Sequence, residues 1–211
     1  MPRSGKEARA RLRQAASDLF FERGFDAVTT AEIAERAGVN ERTYFRHFPD
    51  KREVLFDSED QLAEQLAAAL ADVPPDTTAL LALHLAFLRA VPLLEHNRPA
   101  AQRLGQIIAS TPALQERAAA KEAHLVETLA AELSARGIDR PTAEIAARAG
   151  WGAAVVATRC WQADPTTELD EHIDRAFDRL HALAAGHHTS PRRDGSVAPI
   201  DHEDVSNDSQ R

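Results

Sequence analysis

Disulfide scaffolding is excluded at the outset, because the chain of 211 residues holds a single cysteine, Cys160. Aromatics are scarce, at 5% of the residues, with one tyrosine among them. Ala and Leu are abundant instead, which favours helices over strands. No stretch approaches about 18 continuous apolar residues, so no membrane-spanning helix is expected. The amino-terminus, MPRSGKEARARLRQAA, is charged and lacks a following apolar run, so it does not read as a secretory signal. A reducing cytoplasm is the expected setting. Chemistry-bearing patterns are missing too. No Ser/His/Asp order, paired carboxylates or nucleophile elbow stands out, so no enzyme is expected. The glycines are scattered and none forms a phosphate-binding loop, and no cofactor is expected. Asp170, Glu171, Asp174 and Asp178 read as a solvated helix face. Cys160 lies in an apolar helix and reads as an inert buried thiol. His181, His187 and His188 cluster loosely, and no metal site is expected from them.

Charge is unevenly spread. The net charge is −8, but residues 1–52 carry +3 and residues 53–211 carry −11. A basic end on an acidic body suggests that one end meets phosphate and the rest does not.

What is present is a series of amphipathic helices. Residues 6–23 place Leu12, Ala15, Ala16, Leu19 and Phe20 on one stripe, and Gly24 stops the helix. Thr29 and Glu32 form a capping box for a second helix with Ile33, Ala34 and Ala37 inward. Gly38 permits a tight turn, Val39 is an apolar plug, and Asn40 caps a third helix. Pro49 ends that helix, and Asp50 caps a long fourth one bearing Leu55, Leu62, Leu66 and Leu70. Pro74 and Pro75 stop it. Further helices are expected over residues 76–95, with Pro92 kinking or ending the first, and over 98–110, 112–136 and 141–164. A last one, capped by Thr166 or Thr167, runs to Gly186. Beyond residue 187 the periodicity is lost, and 187–211 reads as a disordered tail.

The stretch TTAEIAERAGVNERTYFRHFPDK, residues 29–51, carries the most information. Two short helices joined by a Gly turn are the pattern of a helix-turn-helix. At about 100° per residue, Tyr44 and Phe48 share one side of the third helix. Arg42 and Arg46 share the opposite side, flanked by Thr43 and Phe45. The aromatic pair should therefore pack inward, and the arginines should face out towards guanine edges in a major groove. Thr43 and Lys51 suit phosphate contacts, and the helix N-termini add N–H donors.

The run FDAVTTAEIAERAGVNERTYFRHFPDK, residues 25–51, resembles the amino-terminal motif of TetR-family transcriptional regulators. The resemblance implies an all-α chain. Residues 1–52 would be a three-helix helix-turn-helix DNA-binding domain, and 53–186 a helical ligand-binding and dimerisation domain. It implies that Thr30 and Lys51 contact phosphates. Asn40, Arg42, Thr43, Phe45, Arg46 and His47 would start or form the recognition helix. It also implies a ligand-released repressor that binds a near-palindromic double-stranded DNA operator as a homodimer, its two readers roughly 34–36 Å apart. One departure stands out: Phe45 occupies a position usually held by a phosphate-contacting Tyr. A protein-interaction adaptor of the same fold, with degenerate DNA reading, therefore stays open.

In the second half, the resemblance implies that the last two helices pair with their symmetry mates. Gly150, Gly152, Ala153, Ala154 and Ala157 would allow close approach. Trp151, Val155, Val156, Trp161, Ile173, Phe177 and Leu180 would supply interface area. A pocket for a small apolar or amphipathic effector is implied too, with an acyl-CoA-like ligand suggested by residues 103–125. The candidates for its lining are His84, Phe87, Leu88, Arg103, Ile107, Ile108, His124 and Trp151.

Overall fold

The computed structural model describes residues 3–96, 98–164 and 166–186. Among these residues the elements are α-helices: α1 (Arg3–Arg23), α2 (Thr30–Arg36), α3 (Glu41–His47), α4 (Glu53–Ala71) and α5 (Ala79–His96), then α6 (Arg98–Ala109), α7 (Pro112–Ala135), α8 (Arg140–Ala163) and α9 (Leu169–Ala184). The expected tail and its two histidines lie outside the described residues.

The first core is the one the amino-terminal pattern specifies. Leu12, Ala16 and Phe20 of α1 close over Ile33, Ala34, Tyr44 and Phe48, all at 2% exposure or less. Each large apolar side chain so buried stabilises the fold by roughly 1.5–3 kcal/mol. Phe25 joins this core, its ring centroid 5.0 Å from that of Phe20. This core does not stop at residue 52. Val54, Leu55 and Phe56 of α4 belong to it, and so do Ile107 of α6 and Leu114 of α7. The packing boundary thus falls inside α4, and two later helices plug the amino-terminal unit.

The second core is formed by α4, α5, α7, α8 and α9, with Leu66, Leu83, Phe87, Leu129 and Phe177 at its centre. α5 is the one described helix whose length and mean hydropathy would suit a membrane span. It nevertheless packs against α4, α8 and α9 through Ala82, Leu83, Ala86, Phe87 and Ala90. Arg136 ties the end of α7 to the end of α4, donating to the carbonyls of Leu70 and Val73 at 2.9 and 2.8 Å. Those bonds satisfy carbonyls that a helix C-terminus leaves without intrahelical partners.

Several boundaries differ from expectation. Pro92 is accommodated within α5, which continues to His96. Neither Thr166 nor Thr167 caps α9, which has Glu168 at its N-cap. Thr166 is held instead by Asp164, whose carboxylate accepts from its backbone N–H at 3.1 Å and its hydroxyl at 2.6 Å. That turn consumes the residue that would have capped the helix.

Gly150 is buried where α8 crosses α5. A Cβ there would lie 2.9 Å from Leu83 Cδ1, whereas one at Gly152 would meet nothing within 4 Å. Gly150 therefore serves packing within the chain. Gly150→Leu should destabilise the fold by about 1–3 kcal/mol through overpacking. Gly152→Leu should leave the stability of the isolated chain nearly unchanged. Urea unfolding of both variants under dissociating conditions measures the difference.

Candidate nucleic-acid interface and regulatory cavity

The two short helices are fixed by their caps. Thr29 accepts from the Glu32 N–H at 3.3 Å, and the Glu32 carboxylate accepts in return from the Thr29 N–H at 2.8 Å. Arg23 of α1 adds a hydrogen bond to the same carboxylate at 2.8 Å. Gly38 takes φ +66°, the left-handed conformation that lets the chain turn between α2 and α3. Asn40 then caps α3, accepting from the Thr43 N–H at 2.8 Å. Asp50 fills its capping role from a turn further out. Its Oδ1 accepts from the N–H groups of Arg52 and Glu53 at 2.7 and 3.2 Å, and α4 begins at Glu53.

The expected phase of α3 is observed. Tyr44 and Phe48 are buried, while Arg42, Phe45 and Arg46 are exposed. The Tyr44 hydroxyl donates to the Asp50 carbonyl at 3.2 Å. Burial, then the nearby charges of Asp50 and Glu53, hold that phenol protonated well above its usual range. Phe45 stands on the outer face with 51% of its surface exposed, its ring edge-on to Tyr44.

Other expected contact residues are partly engaged. The Thr30 hydroxyl donates to Glu41 at 2.6 Å. Lys51 donates to the Phe25 and Val28 carbonyls, both at 2.9 Å, with its ammonium 4.1 Å from the Phe25 ring centroid. Its first role is to close the α1–α2 loop over α4. His47 is half-buried, and its pKa lies below the ordinary imidazole value, first through burial and then through Arg46 and Arg9. It therefore presents a neutral ring at neutral pH.

Beneath the outer face lies an ionic hub that sequence reasoning missed. Asp57 of α4 is 4% exposed. Its carboxylate accepts from Arg9 Nε at 2.7 Å and pairs with Arg13 at 3.3 Å. Arg9 also donates to the His47 carbonyl at 3.4 Å. One buried carboxylate thus connects α4 with α1 and, through Arg9, with the end of α3.

A cavity of about 710 Å³ opens between α1, α4, α5, α6 and α8. Its volume falls in the range of small-molecule sites, roughly 300–1,000 Å³. Arg103, Ile108 and Trp151 line it, as expected. Arg13, Gln14 and Ser17 of α1, with Arg98 and Trp161, also line it and were not foreseen. A neighbouring pocket of about 320 Å³ shares Leu62, Leu94 and Trp151 and includes Phe87. The Trp151 Nε1 donor is buried and has no acceptor among the described residues. Four expected lining residues lie elsewhere. His84 is held by Asp174 at 2.7 Å and stacks on Phe177 at 4.7 Å. Leu88 packs on the second core, Ile107 is buried in the first, and His124 is exposed on α7.

The expected interface set also needs correction. Ile173 and Phe177 are fully buried within the chain, under α5 and α8, and have no surface to offer a second copy. Ala154 and Ala157 are likewise interior. Val155 and Leu180 are half-buried, and Val155 lines the smaller pocket. Gly152 and Val156 are exposed. With Ile145 at 71% exposure they form an outward apolar stripe on α8, and Leu183 of α9 is 62% exposed. Cys160, expected to be buried, is exposed one turn after Val156.

The family model for bacterial regulatory proteins of the tetR family matches residues 12–57. The regulator TcmR of Streptomyces glaucescens is 37% identical over 86 residues, covering 41% of this chain and 38% of that protein. The chain spans about a third to two fifths of the length of the curated relatives it matches first. Solved structures cover more. A transcriptional regulator from Rhodococcus sp. RHA1 is 26% identical with a TM-score of 0.50, covering 87% of this chain and 99% of that one. NalD, the secondary repressor of the MexAB-OprM multidrug efflux pump in Pseudomonas aeruginosa, has a TM-score of 0.58 at 22% identity, covering 84% and 96%.

The pKa of Glu32 is lowered from 4.5 to about 2, first by the Thr29 backbone N–H and then by Arg23. A depressed folded-state pKa contributes stability above the unfolded value, lost as pH falls towards the folded one. Between pH 4.5 and 2, acid should therefore lower the melting temperature of the native chain by more than that of Glu32→Gln. Thermal melts followed by circular dichroism across that range provide the comparison.

Proposed function

Because the chain belongs to the TetR family of bacterial regulatory proteins, we propose that it is a cytoplasmic DNA-binding repressor. It reads a near-palindromic operator as a homodimer and is released by a small amphipathic effector. The observation that carries this reading is the outer face of α3, where Arg42, Phe45 and Arg46 are exposed over the buried Tyr44 and Phe48. Arg42 and Arg46, exposed one helical turn apart, would contact guanine O6 and N7. Thr43 and the N-terminal turns of α2 and α3 support phosphate contacts, with Thr30, His47 and Lys51 at their edge. Phe45, lacking a hydroxyl, makes an apolar contact of the kind a thymine methyl accepts.

The homodimer is supported by the outward stripe of Ile145, Gly152 and Val156 on α8, with Leu183 of α9 exposed as well. Apolar groups gathered on one face of a helix are a recurrent sign of a partner. The effector reading is supported by the large cavity, which touches α1 as well as the later helices.

Selection of bound DNA from a random pool tests the function directly, and enrichment of an inverted repeat is expected. On the selected site, Arg46→Ala should weaken binding by about 1–3 kcal/mol and erase the footprint. Phe45→Tyr should tighten binding about threefold to tenfold, if its new hydroxyl gains a phosphate hydrogen bond of ordinary strength. Weak, sequence-independent binding that fades steeply with salt would instead indicate the degenerate adaptor.

For the dimer, Val156→Glu should give a monomer in light scattering while leaving the helix content unchanged. Phe177→Ala should lower stability by about 3–5 kcal/mol, as a core truncation does.

A further inference from the structure

The polar groups of the large cavity carry one sign. Its described lining includes Arg13, Arg98, Arg103 and His96, and no carboxylate is among those residues. Much of the remaining wall is apolar, with Leu94 and Trp151 among its side chains.

The arginines differ in how firmly they are held. Arg98 lies 4.1 Å from the centroid of the Trp161 ring and donates to the Trp161 carbonyl at 3.4 Å. No carboxylate among the described residues pairs with it. Arg103 pairs with Asp18 at 3.1 Å, but the two side chains are 46% and 31% exposed. Such a pair contributes little and exchanges readily. Arg13 shares Asp57 with Arg9. If Arg13 turned to another anion, Asp57 would keep Arg9, and no buried charge would be stranded. The site can therefore accept a negative group without breaking a costly contact. The Trp151 Nε1, without an acceptor among the described residues, adds a buried donor that an acceptor on a ligand would satisfy.

We propose that this cavity binds an amphipathic acid. Its carboxylate is held chiefly by Arg98, with Arg103 and Arg13 closing on it, and its apolar body lies against Leu94 and Trp151. The claim deepens the effector reading above and rests on it only for the consequence for DNA. Arg13 belongs to α1, so the headgroup would touch the DNA-binding unit itself.

The two tryptophans of the chain, Trp151 and Trp161, both line the cavity, so tryptophan fluorescence reports on it, with Trp151 reporting on the neighbouring pocket as well. The full chain is titrated with decanoate, decanol and decylamine, each below its aqueous solubility and, for the two charged probes, below its micellar concentration. Decanoate should bind about tenfold or more tighter than either of the others, the scale of a charge-assisted hydrogen bond. Arg98→Gln should remove that preference, weakening decanoate about tenfold while changing decanol by less than about threefold. Equal binding of the three, preference for the amine, no fluorescence response to any of them, or a decanoate preference that survives Arg98→Gln would each overturn the proposal. If Arg98→Gln does not fold, the ranking of the three probes on the native chain decides alone. A gel shift on the selected operator, without probe, separately tests whether the chain reads DNA. Failure of that reading is thus distinguishable from failure of this one.

Discussion

A carboxylate buried to 4% exposure must be paired, and Asp57 is paired with two arginines of a different helix. Much of the molecule follows from that requirement. Arg9 and Arg13 lie four residues apart on α1, so satisfying Asp57 fixes the rotation of α1 against α4. Arg9 reaches past the carboxylate to the last carbonyl of α3 and also lies 4.8 Å from the centroid of the Phe48 ring. The helix that presents Arg42 and Arg46 is therefore anchored at its C-terminal end by the group that anchors α1. Arg13 continues from the hub into the wall of the cavity. A single ionic cluster thus touches the outward-facing helix, the connector and the cavity. Arg9 and Arg13 keep a third or more of their side-chain surface in water, so the cluster is not sealed as a dry ion pair would be.

The amino-terminal third was legible in the sequence because its determinants are local. Thr29 with Glu32, Gly38 and Asn40 each act within four residues, and a cap or a positive φ carries its own signature. The phase of α3 follows from helix geometry once its start is known, which is why Tyr44 and Phe48 fall inward and Arg42 and Arg46 outward. What periodicity cannot supply is the identity of the neighbour. Ile173 and Phe177 lie on the apolar side of α9, yet that side is covered by α5 and α8 of the same chain. The stack of His84 on Phe177 is part of that cover. Ile107 is apolar and inward, but it enters the amino-terminal core instead of the cavity. Cys160 sits in an apolar run and is still exposed, because α8 is apolar on two sides and only one of them has a neighbour within the chain. No local pattern marks Asp57; only the two arginines 48 and 44 positions away make it a hub.

The same two-sidedness gives α6 its importance. Ile107 is a plug of the first core, Leu104 and Ile108 pack against that core and also line the cavity, and Arg103 lines the cavity. Neighbouring residues on one rigid helix thus belong to the amino-terminal unit and to the wall that a ligand would press. Ile107 cannot hold its place if that wall moves outward, because a packed core tolerates displacement poorly. A ligand that fills the cavity without favouring one position of α6 or of α1 over another would bind equally to every arrangement of the outward-facing helices, and would shift nothing however tightly it bound. A ligand that prefers a displaced α6 would draw on the packing of Ile107 and Leu114 against α1 and α4, and hence on the orientation of α3. Coupling between cavity and reader, on the proposed function, is then set by the difference in fit between two positions of α6. The polar contacts to Arg98, Arg103 and Arg13 matter for that coupling only to the extent that they are better made in one of the two.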